Sequence, residues 1–204
     1  IGGASCVVAA LLSMAGAPAA SGSAHLPAQS DGYERVWADE FDVAGKPDPS
    51  NWVYEQGFVR NKEAQWYQPD NAVVRDGLLV IEARRERVSN PNHDAASDDW
   101  RKNRSHAEYT SAAIKTAGKH EWRYGRFEMR ARIDARAGLW PAWWTGGFAR
   151  PWPGGGEIDM MEYYRGMLLA NACWKAEGGR WAQHWDAERI PLEDLGGDTW
   201  SDEF

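Results

Sequence analysis

Three carboxylates fall within six residues of this chain, at Glu157, Asp159 and Glu162. In a β-strand the side chains alternate between two faces, so Glu157 and Asp159 share a face and Glu162 lies on the other. A β-bulge at Met160 and Met161 would return Glu162 to the face of Glu157. The Cα atoms of the two glutamates would then be about 13 Å apart, four strand steps of ~3.3 Å each. Side chains that lean together would bring the carboxyl groups to roughly 5–6 Å, which suits glycoside hydrolysis with retention of configuration.

An acidic strand face turned toward solvent is the alternative interpretation, and isolated E-x-D patterns are usually of that kind. Three like charges on one short face repel each other, however, and a solvent face does not need Met160 and Met161 to restore its register. The spacing alone leaves the two interpretations evenly matched. The surrounding sequence favours chemistry.

The composition narrows the class of protein. A chain of 204 residues can build one sizeable core and is short enough to be one domain. It contains 13 tryptophans, and flat indole rings are platforms on which the C–H face of a sugar can pack. The formal net charge of −7 disfavours nucleic acid as a partner, because phosphate neutralisation needs a basic patch. It disfavours highly sulfated polysaccharides more weakly.

The N-terminal residues predict export. Residues 1–24 read as a secretory signal segment, with an apolar run over 6–15 followed by small residues. The run is too short to span a membrane. The initiator methionine and a basic region are missing, so we expect an N-terminally truncated sequence and a secreted or periplasmic protein. Residues 25–32 are interpreted as a linker. After cleavage Cys173 alone remains, so no intramolecular disulfide is expected.

The rest of the chain predicts an all-β protein, since no segment has a long helical period and short strands alternate with glycine-rich turns. We expect a long polar surface loop over 86–104, in which Trp100 either caps a groove or pins the loop down. A helical turn within 186–195 would be interrupted by Pro191. Strands are expected over 33–42, 78–84, 109–116, 125–134 and 168–174, besides the acidic segment.

The acidic segment carries a family resemblance. Residues 157–162 read Glu-Ile-Asp-Met-Met-Glu, which resembles the bulged E-x-D-x-x-E signature of glycoside hydrolase family 16, in its laminarinase-like form. The resemblance covers roughly residues 33–174, and further matching blocks occur in the family's order at 37–41, 61–67, 76–79, 109–111, 124–128 and 138–144. It implies a jelly-roll (concanavalin-like) sandwich of two curved antiparallel sheets, with the substrate along the concave face.

The resemblance also assigns roles to residues. It implies that Glu157 is the nucleophile, that Glu162 is the acid/base and that Asp159 lies between them. A carboxyl group in that position can hydrogen-bond the nucleophile and help to set its charge state; a purely structural acid is the alternative. Residues expected to bind substrate are Trp140, Trp143, Trp144, Trp152, Asn61 and Glu63, with core packing as the alternative for each tryptophan and a turn cap for Asn61. Trp143 and Trp144 point to opposite faces of a strand, so at most one of them lines the groove directly.

Two departures from the family pattern matter. Many relatives carry a histidine beside the acid/base on the strand after the acidic one, whereas residues 171–174 here read Asn-Ala-Cys-Trp. The nearest downstream histidine, His184, is expected on the surface. The family's domain also continues beyond residue 204, so we interpret 33–204 as a catalytic domain that lacks its C-terminal strands.

These observations predict a secreted, endo-acting, retaining β-glycoside hydrolase that cleaves β-1,3- or β-1,3-1,4-glucan by double displacement. One alternative is a marine galactan hydrolase resembling agarases, porphyranases or carrageenases. Another is a non-catalytic carbohydrate-binding protein on the same fold. No cofactor is expected. The resemblance allows a structural Ca²⁺ near the first strand, although the sequence shows no ligand cluster of its own. The expected partner is a polysaccharide, with no nucleic acid and no membrane span, and the chain is expected to be monomeric.

Overall fold

The computed structural model describes residues 4–9, 29–30, 32–195 and 200–201. Within those ranges the regular structure is almost entirely strand, with two short 3-10 helices at Pro69–Asn71 and Leu192–Leu195. The strands are β1 Ala4–Ala9, β2 Gln29–Ser30, β3 Tyr33–Glu34, β4 Val53–Tyr54, β5 Gln65–Tyr67, β6 Ala72–Arg75, β7 Leu78–Ile81, β8 Val88–Ser89, β9 His106–Ala107, β10 Tyr109–Ser111, β11 Ala113–Lys115, β12 Ile133–Asp134, β13 Ala142–Gly147, β14 Glu157–Tyr164, β15 Met167–Lys175, β16 Gln183–Pro191 and β17 Trp200–Ser201. The prediction of an all-β chain is confirmed.

One large sheet organises the molecule. Its seven strands run in the order β16-β15-β14-β13-β1-β11-β4, and each pair is antiparallel. The acidic strand β14 lies between β13 and β15, so both of its edges are hydrogen-bonded. The other strands form two-stranded pieces, of which β5–β10 is parallel, a detail that the expected antiparallel sheets did not include. Both neighbours of β14 therefore hold its carboxylates in a fixed register.

The apolar core lies on one face of the large sheet. Met161 and Tyr163 of β14 point into it, and each buried side chain of this size contributes roughly 1.5–3 kcal/mol relative to exposure. The Tyr163 hydroxyl donates to the carbonyl oxygen of Ala135 at 2.5 Å, which satisfies its polar end inside the core. This cluster comprises Ile133, Ala135, Met161, Tyr163, Leu168 and Leu192, and a second buried cluster comprises Trp52, Ala72, Ala112 and Ile114. The side chains on the opposite face of β14 do not belong to this core cluster.

Two predicted strands are largely absent. In the segment 33–42 only Tyr33–Glu34 is strand, because the Asp39 carboxylate accepts from the Phe41 amide at 3.0 Å and Phe41 adopts a positive φ of 56°, which turns the chain. In the segment 125–134 only Ile133–Asp134 is strand. Apolar and polar residues alternate in this segment, and the apolar Met129 and Ile133 do reach the core. A strand also needs a neighbouring strand with which its backbone N–H and C=O groups can hydrogen-bond. Within the described residues β12 pairs only with β17.

Other sequence expectations agree better with the structure. The segment 168–174 lies inside β15, and 78–84 begins as β7. The segment 109–116 is divided into β10 and β11. The strand β16 continues to Pro191, and the expected helical turn forms only after it, as the 3-10 helix Leu192–Leu195.

Part of the predicted N-terminal signal segment lies within the described residues. Ala4–Ala9, which overlap the apolar run of the expected signal segment, pair as β1 with β11 and β13. Residues 1–3 and 10–24 of that segment lie outside the described residues, as does most of the expected linker over 25–32. Cleavage of the segment stays a prediction. Among the described residues no helix is long and apolar enough to cross a bilayer.

Candidate active site

A β-bulge in β14 brings the three carboxylates to one face of the sheet. On one side Asp159 pairs with Trp144 and Met161 with Trp143, so Met160 is the extra residue that has no partner of its own. The register of β14 against β15 shifts over the same interval. Glu162 thereby returns to the face of Asp159, while the residues after it alternate in the new phase. The bulge expected from the spacing of the motif is confirmed.

A glycine-rich loop fixes where β14 begins. A Cβ atom on Gly147 would collide with the backbone of Gly155, and the Gly147 amide donates to the Gly156 carbonyl oxygen at 3.0 Å. Gly156 also adopts a positive φ of 79°, which glycine tolerates best. These glycines let the loop lie directly against β13, and this contact sets the position of Glu157.

The three carboxylates line one open cavity with an empty volume of about 490 Å³, counting the part that is open to solvent. Four of the residues expected to bind substrate line the same cavity: Trp140, Trp144, Asn61 and Glu63. Arg60, Tyr67 and Ala142 complete the lining. The structure thus brings the candidate catalytic and binding residues together, although their roles stay predictions.

The carboxyl group of Glu157 is held near the midpoint of its titration at neutral pH. Burial, together with the negative charges of Asp159 and Glu162, raises its pKa to about 7. A hydrogen bond from the Trp152 indole and the positive charge of Arg60 act in the opposite direction and favour the carboxylate. A half-buried carboxylate beside a cation and an N–H donor is suited to act as a nucleophile.

Glu162 has a similar pKa for different reasons. Burial and the negative charge of Asp159 raise its pKa to about 7. Its two oxygens accept from Trp140 Nε1 at 3.1 Å and from Asn171 Nδ2 at 3.2 Å, and both bonds lower the pKa. Burial outweighs the neighbouring charge in this balance.

Asn171 links two of the carboxylates. Its Nδ2 also donates to Asp159 Oδ2 at 3.0 Å, so one amide group bridges Asp159 and Glu162. Burial raises the pKa of Asp159, whose side chain is 4% exposed, and the bond from Asn171 opposes that shift. Asn171 stands opposite Asp159 on β15, in the stretch where the sequence showed that the expected histidine is missing. That departure was the only signal for Asn171 in the sequence.

A second cluster of polar side chains, around Arg60 and Glu63, also lines the cavity. Arg60 forms an ion pair with Glu55 and lies over the rings of Trp144 and Tyr67, 5.5 Å and 5.6 Å from the ring centroids. Glu63 accepts from the Tyr67 hydroxyl at 3.1 Å, and burial raises its pKa. Sequence reasoning missed Arg60 and Tyr67, because an arginine beside a turn and a tyrosine in a short strand have no distinctive spacing.

The remaining tryptophans divide between cavity and scaffold. Trp143 packs against the core cluster on the opposite face, so its expected contact with substrate is not supported by its position. Trp152 lies beside Glu157 at the cavity's edge and is 37% exposed. Trp100 packs on Phe58, with ring centroids 6.0 Å apart, and so pins the long loop rather than capping the cavity.

Asp39 is one of the acids near the first predicted strand, where the sequence allowed a structural Ca²⁺. Among the described residues, no three His, Cys, Asp or Glu side chains are grouped to hold a metal ion. Asp39 is instead engaged by donors, with Oδ2 accepting from Trp52 Nε1 at 2.7 Å and from Asn51 Nδ2 at 3.1 Å. That carboxylate therefore supports the local fold.

Comparison with protein families gives a match over this region. The model of the glycosyl hydrolases family 16 matches residues 60–191. A β-glucanase of Rhodothermus marinus is 43% identical over 142 residues, which cover 64% of this chain and 44% of the relative. A keratan-sulfate endo-1,4-β-galactosidase of Sphingobacterium multivorum is 31% identical over 140 residues, 64% of this chain and 29% of the relative. The chain thus spans less than half the length of these relatives.

Solved structures agree with the fold. One, from a study of endo-acting O-glycanases with which human gut microbiota initiate mucin breakdown, superposes with a TM-score of 0.76 at 31% identity, covering 85% of this chain and 65% of the other. A non-specific endo-β-1,3(4)-glucanase superposes with a TM-score of 0.60 at 31% identity, covering 80% and 61%. The expected jelly-roll sandwich is confirmed by these similarities.

Proposed function

The chain belongs to glycosyl hydrolase family 16, and from that premise we propose that it is an endo-acting, retaining hydrolase of β-1,3- or β-1,3-1,4-glucan. One observation carries the proposal. A bulged strand places Glu157, Asp159 and Glu162 together on the wall of an open cavity that two tryptophans also line. Two carboxyl groups with different surroundings in one cleft are what double displacement requires.

Glu157 is the nucleophile in this proposal. Its carboxylate attacks the anomeric carbon and forms a covalent glycosyl-enzyme. Arg60 and the Trp152 indole favour the ionised form of Glu157, whereas the neighbouring charge that acts on Glu162 is the negative charge of Asp159. Donors favour the ionised form of Glu162 as well, and both glutamates have a pKa of about 7. The proton is therefore assigned to Glu162 from the position of this residue in the family's motif.

Glu162 is the acid/base. In the first step it donates its proton to the oxygen of the departing sugar, and in the second it removes a proton from the attacking water. Trp140 Nε1 and Asn171 Nδ2 fix the two oxygens of this carboxyl group. Asp159, buried between the glutamates, raises the pKa of both and so retains the proton that the first step needs.

The charge distribution supports a neutral glucan. Among the described residues that line the cavity, Arg60 is the cation, and it is already paired with Glu55. A sulfate group in the cavity would face three carboxyl groups without a free cation to balance it. Trp140 and Trp144 supply apolar surface for a sugar ring.

A β-galactoside is the second candidate substrate. It is favoured by the similarity to the keratan-sulfate endo-1,4-β-galactosidase. The test is release of reducing sugar from laminarin, lichenan, agarose and carrageenan by the protein and by its Glu157→Gln variant. Cleavage of laminarin or lichenan that is lost in the variant supports the proposal. Activity confined to agarose or carrageenan favours the galactan alternative, and binding without cleavage would favour a carbohydrate-binding protein.

We also propose that the protein is exported and monomeric. The apolar run over 6–15 and the small residues after it support export. N-terminal sequencing of the protein recovered outside the cytoplasm tests this; an N-terminus that still carries residues 1–24 would contradict cleavage. Size-exclusion chromatography with light scattering tests the monomer.

A further inference from the structure

Three exposed tryptophans lie together at the Glu157 end of the cavity. Trp152 belongs to the loop between β13 and β14, and Trp181 to the loop between β15 and β16, two loops at the same end of the sheet. Their ring centroids are 6.4 Å apart and the rings are tilted by 34°. Trp152 is 37% exposed, Trp181 59% and Trp185 45%.

The strand register places Trp185 on the same face as the cavity. Glu157 pairs with Cys173 on β15, and Cys173 pairs with Trp185 on β16. Side chains in one such row of a sheet point to the same face. Trp185 therefore lies two strand spacings of ~4.8 Å from Glu157 across the sheet. Cys173 lies between them in this row and is buried.

The three rings are held in place rather than scattered. Trp152 donates to Glu157, which joins the group to the cavity. The guanidinium of Arg180 lies 4.8 Å from the ring centroid of Trp181. When the Gln183 amide is oriented to satisfy both its neighbours, its oxygen accepts from Trp185 Nε1 at 3.1 Å and its nitrogen donates to the Trp181 carbonyl oxygen at 3.0 Å.

We propose that Trp152, Trp181 and Trp185 form an aromatic shelf that binds further sugar units of the polysaccharide whose cleaved bond lies in the cavity. The inference rests on the proposed function and deepens it. Exposed rings that continue a carbohydrate cleft match the apolar C–H faces of pyranose units, and binding to them would shield the rings from water. The shelf makes the protein prefer chains longer than the cavity alone can hold.

Binding of oligosaccharides of two lengths tests the shelf. Titration calorimetry on the Glu157→Gln protein would compare tri- and hexasaccharides of the β-1,3-glucan series and, in parallel, of a β-1,4-galactan series. Trp181→Ala and Trp185→Ala are each added to this background. The matched control is Trp174→Ala, because Trp174 is an equally exposed tryptophan (46%) that adjoins Cys173 but faces the other side of the sheet. Melting temperatures check that every variant is folded.

The expected result is a loss of about tenfold in hexasaccharide affinity for each shelf variant, about 1.4 kcal/mol, with the trisaccharide unchanged and Trp174→Ala without effect. An unchanged hexasaccharide affinity would overturn the shelf, as would an equal loss at both lengths or an equal loss in Trp174→Ala. If only the galactan series binds and shows this length dependence, the shelf stands and the proposed glucan substrate fails. If neither series binds to the parent protein, both proposals fail.

Discussion

Replacing Asn171 by leucine should move the alkaline limb of the pH–rate profile to higher pH. Asn171 Nδ2 donates to Asp159 Oδ2 at 3.0 Å and to Glu162 Oε2 at 3.2 Å, and both bonds favour the ionised carboxylates. Leucine has a similar shape and no donor. Without these bonds, the fully ionised cluster is less stable relative to the cluster that retains one proton, so the last proton leaves at higher pH.

The size of the shift follows from the two distances. Bonds of this length lie at the weak end of the range for charged acceptors, about 1.5 kcal/mol each. A net loss of one such bond on ionisation corresponds to roughly one pKa unit. Because Glu162 is partly exposed, solvent screening reduces the expected shift to about 0.5–1 unit. The starting point is the pKa of Glu162, raised to about 7 by burial and by Asp159.

The assay is kcat/KM on a soluble β-glucan oligosaccharide from pH 4 to pH 10. Asn90→Leu is the matched control, because Asn90 is also a buried asparagine that donates twice, to the carbonyl oxygens of Arg101 and Arg104 at 2.8 Å, in a loop whose residues do not line the cavity. It should lower stability and leave the pH limbs in place. An alkaline limb that stays fixed or moves down in Asn171→Leu would refute the reasoning. Restoration of the parent limb by Asn171→Gln would support a role through the donor.

The remaining predictions concern the two glutamates and one structural acid. Glu162→Ala should still form the glycosyl-enzyme from an activated aryl glycoside, and azide should restore turnover as a β-glycosyl azide; an α-azide from this variant would reverse the assignments of Glu157 and Glu162. The folded-state pKa of Glu157 is about 7 against an ordinary 4.5, so its ionisation opposes folding increasingly as pH rises from about 4.5 to 7. Glu157→Gln should therefore leave urea stability unchanged at pH 4 and raise it by about 1–2 kcal/mol at pH 8, after allowance for partial exposure; an equal effect at both pH values would contradict this. Asp39→Ala should cost about 2–4 kcal/mol in urea unfolding, since it removes the acceptor of the buried Trp52 indole and of two further donors, and a cost below about 0.5 kcal/mol would show that water replaces the carboxylate.

The bulge could be predicted because it depends only on whether the number of residues between the carboxylates is odd or even. Carboxylates at 157, 159 and 162 can share one face of a strand only if one residue is extra, and the structure places that residue at Met160. The opposite orientations of Trp143 and Trp144 followed from the same alternation. Local arithmetic of this kind needs no knowledge of the neighbouring strands.

Contacts between distant segments could not be predicted in this way. Asn171 reaches the carboxylates only because β15 pairs with β14 in one particular register, and Arg60 reaches Trp144 only through the tertiary fold. The sequence predicted a strand over 125–134, and Met129 and Ile133 of that segment do reach the core, but the alternation of apolar and polar residues does not reveal whether a partner strand is present. Burial, the main cause of the raised pKa of Glu162, is also a property of the assembled fold.

The bulge at Met160 has a consequence at the level of the gene. A deletion of one codon at Met160 would turn the six-residue motif into an evenly spaced E-x-D-x-E, in which ordinary alternation already places the second glutamate beside the first. The core phase at Tyr163 and its bond to Ala135 would be retained. A deletion of one codon at Ala170 in the regular strand β15 would instead reverse every later side chain, or pull the strand out of register. The protein is therefore expected to fold after deletion of Met160 and to misfold after deletion of Ala170. A comparison of soluble yield and residual hydrolysis in the two deletion variants would test this. A deletion of one codon thus separates the bulged strand from a regular strand that would carry the same three carboxylates on one face.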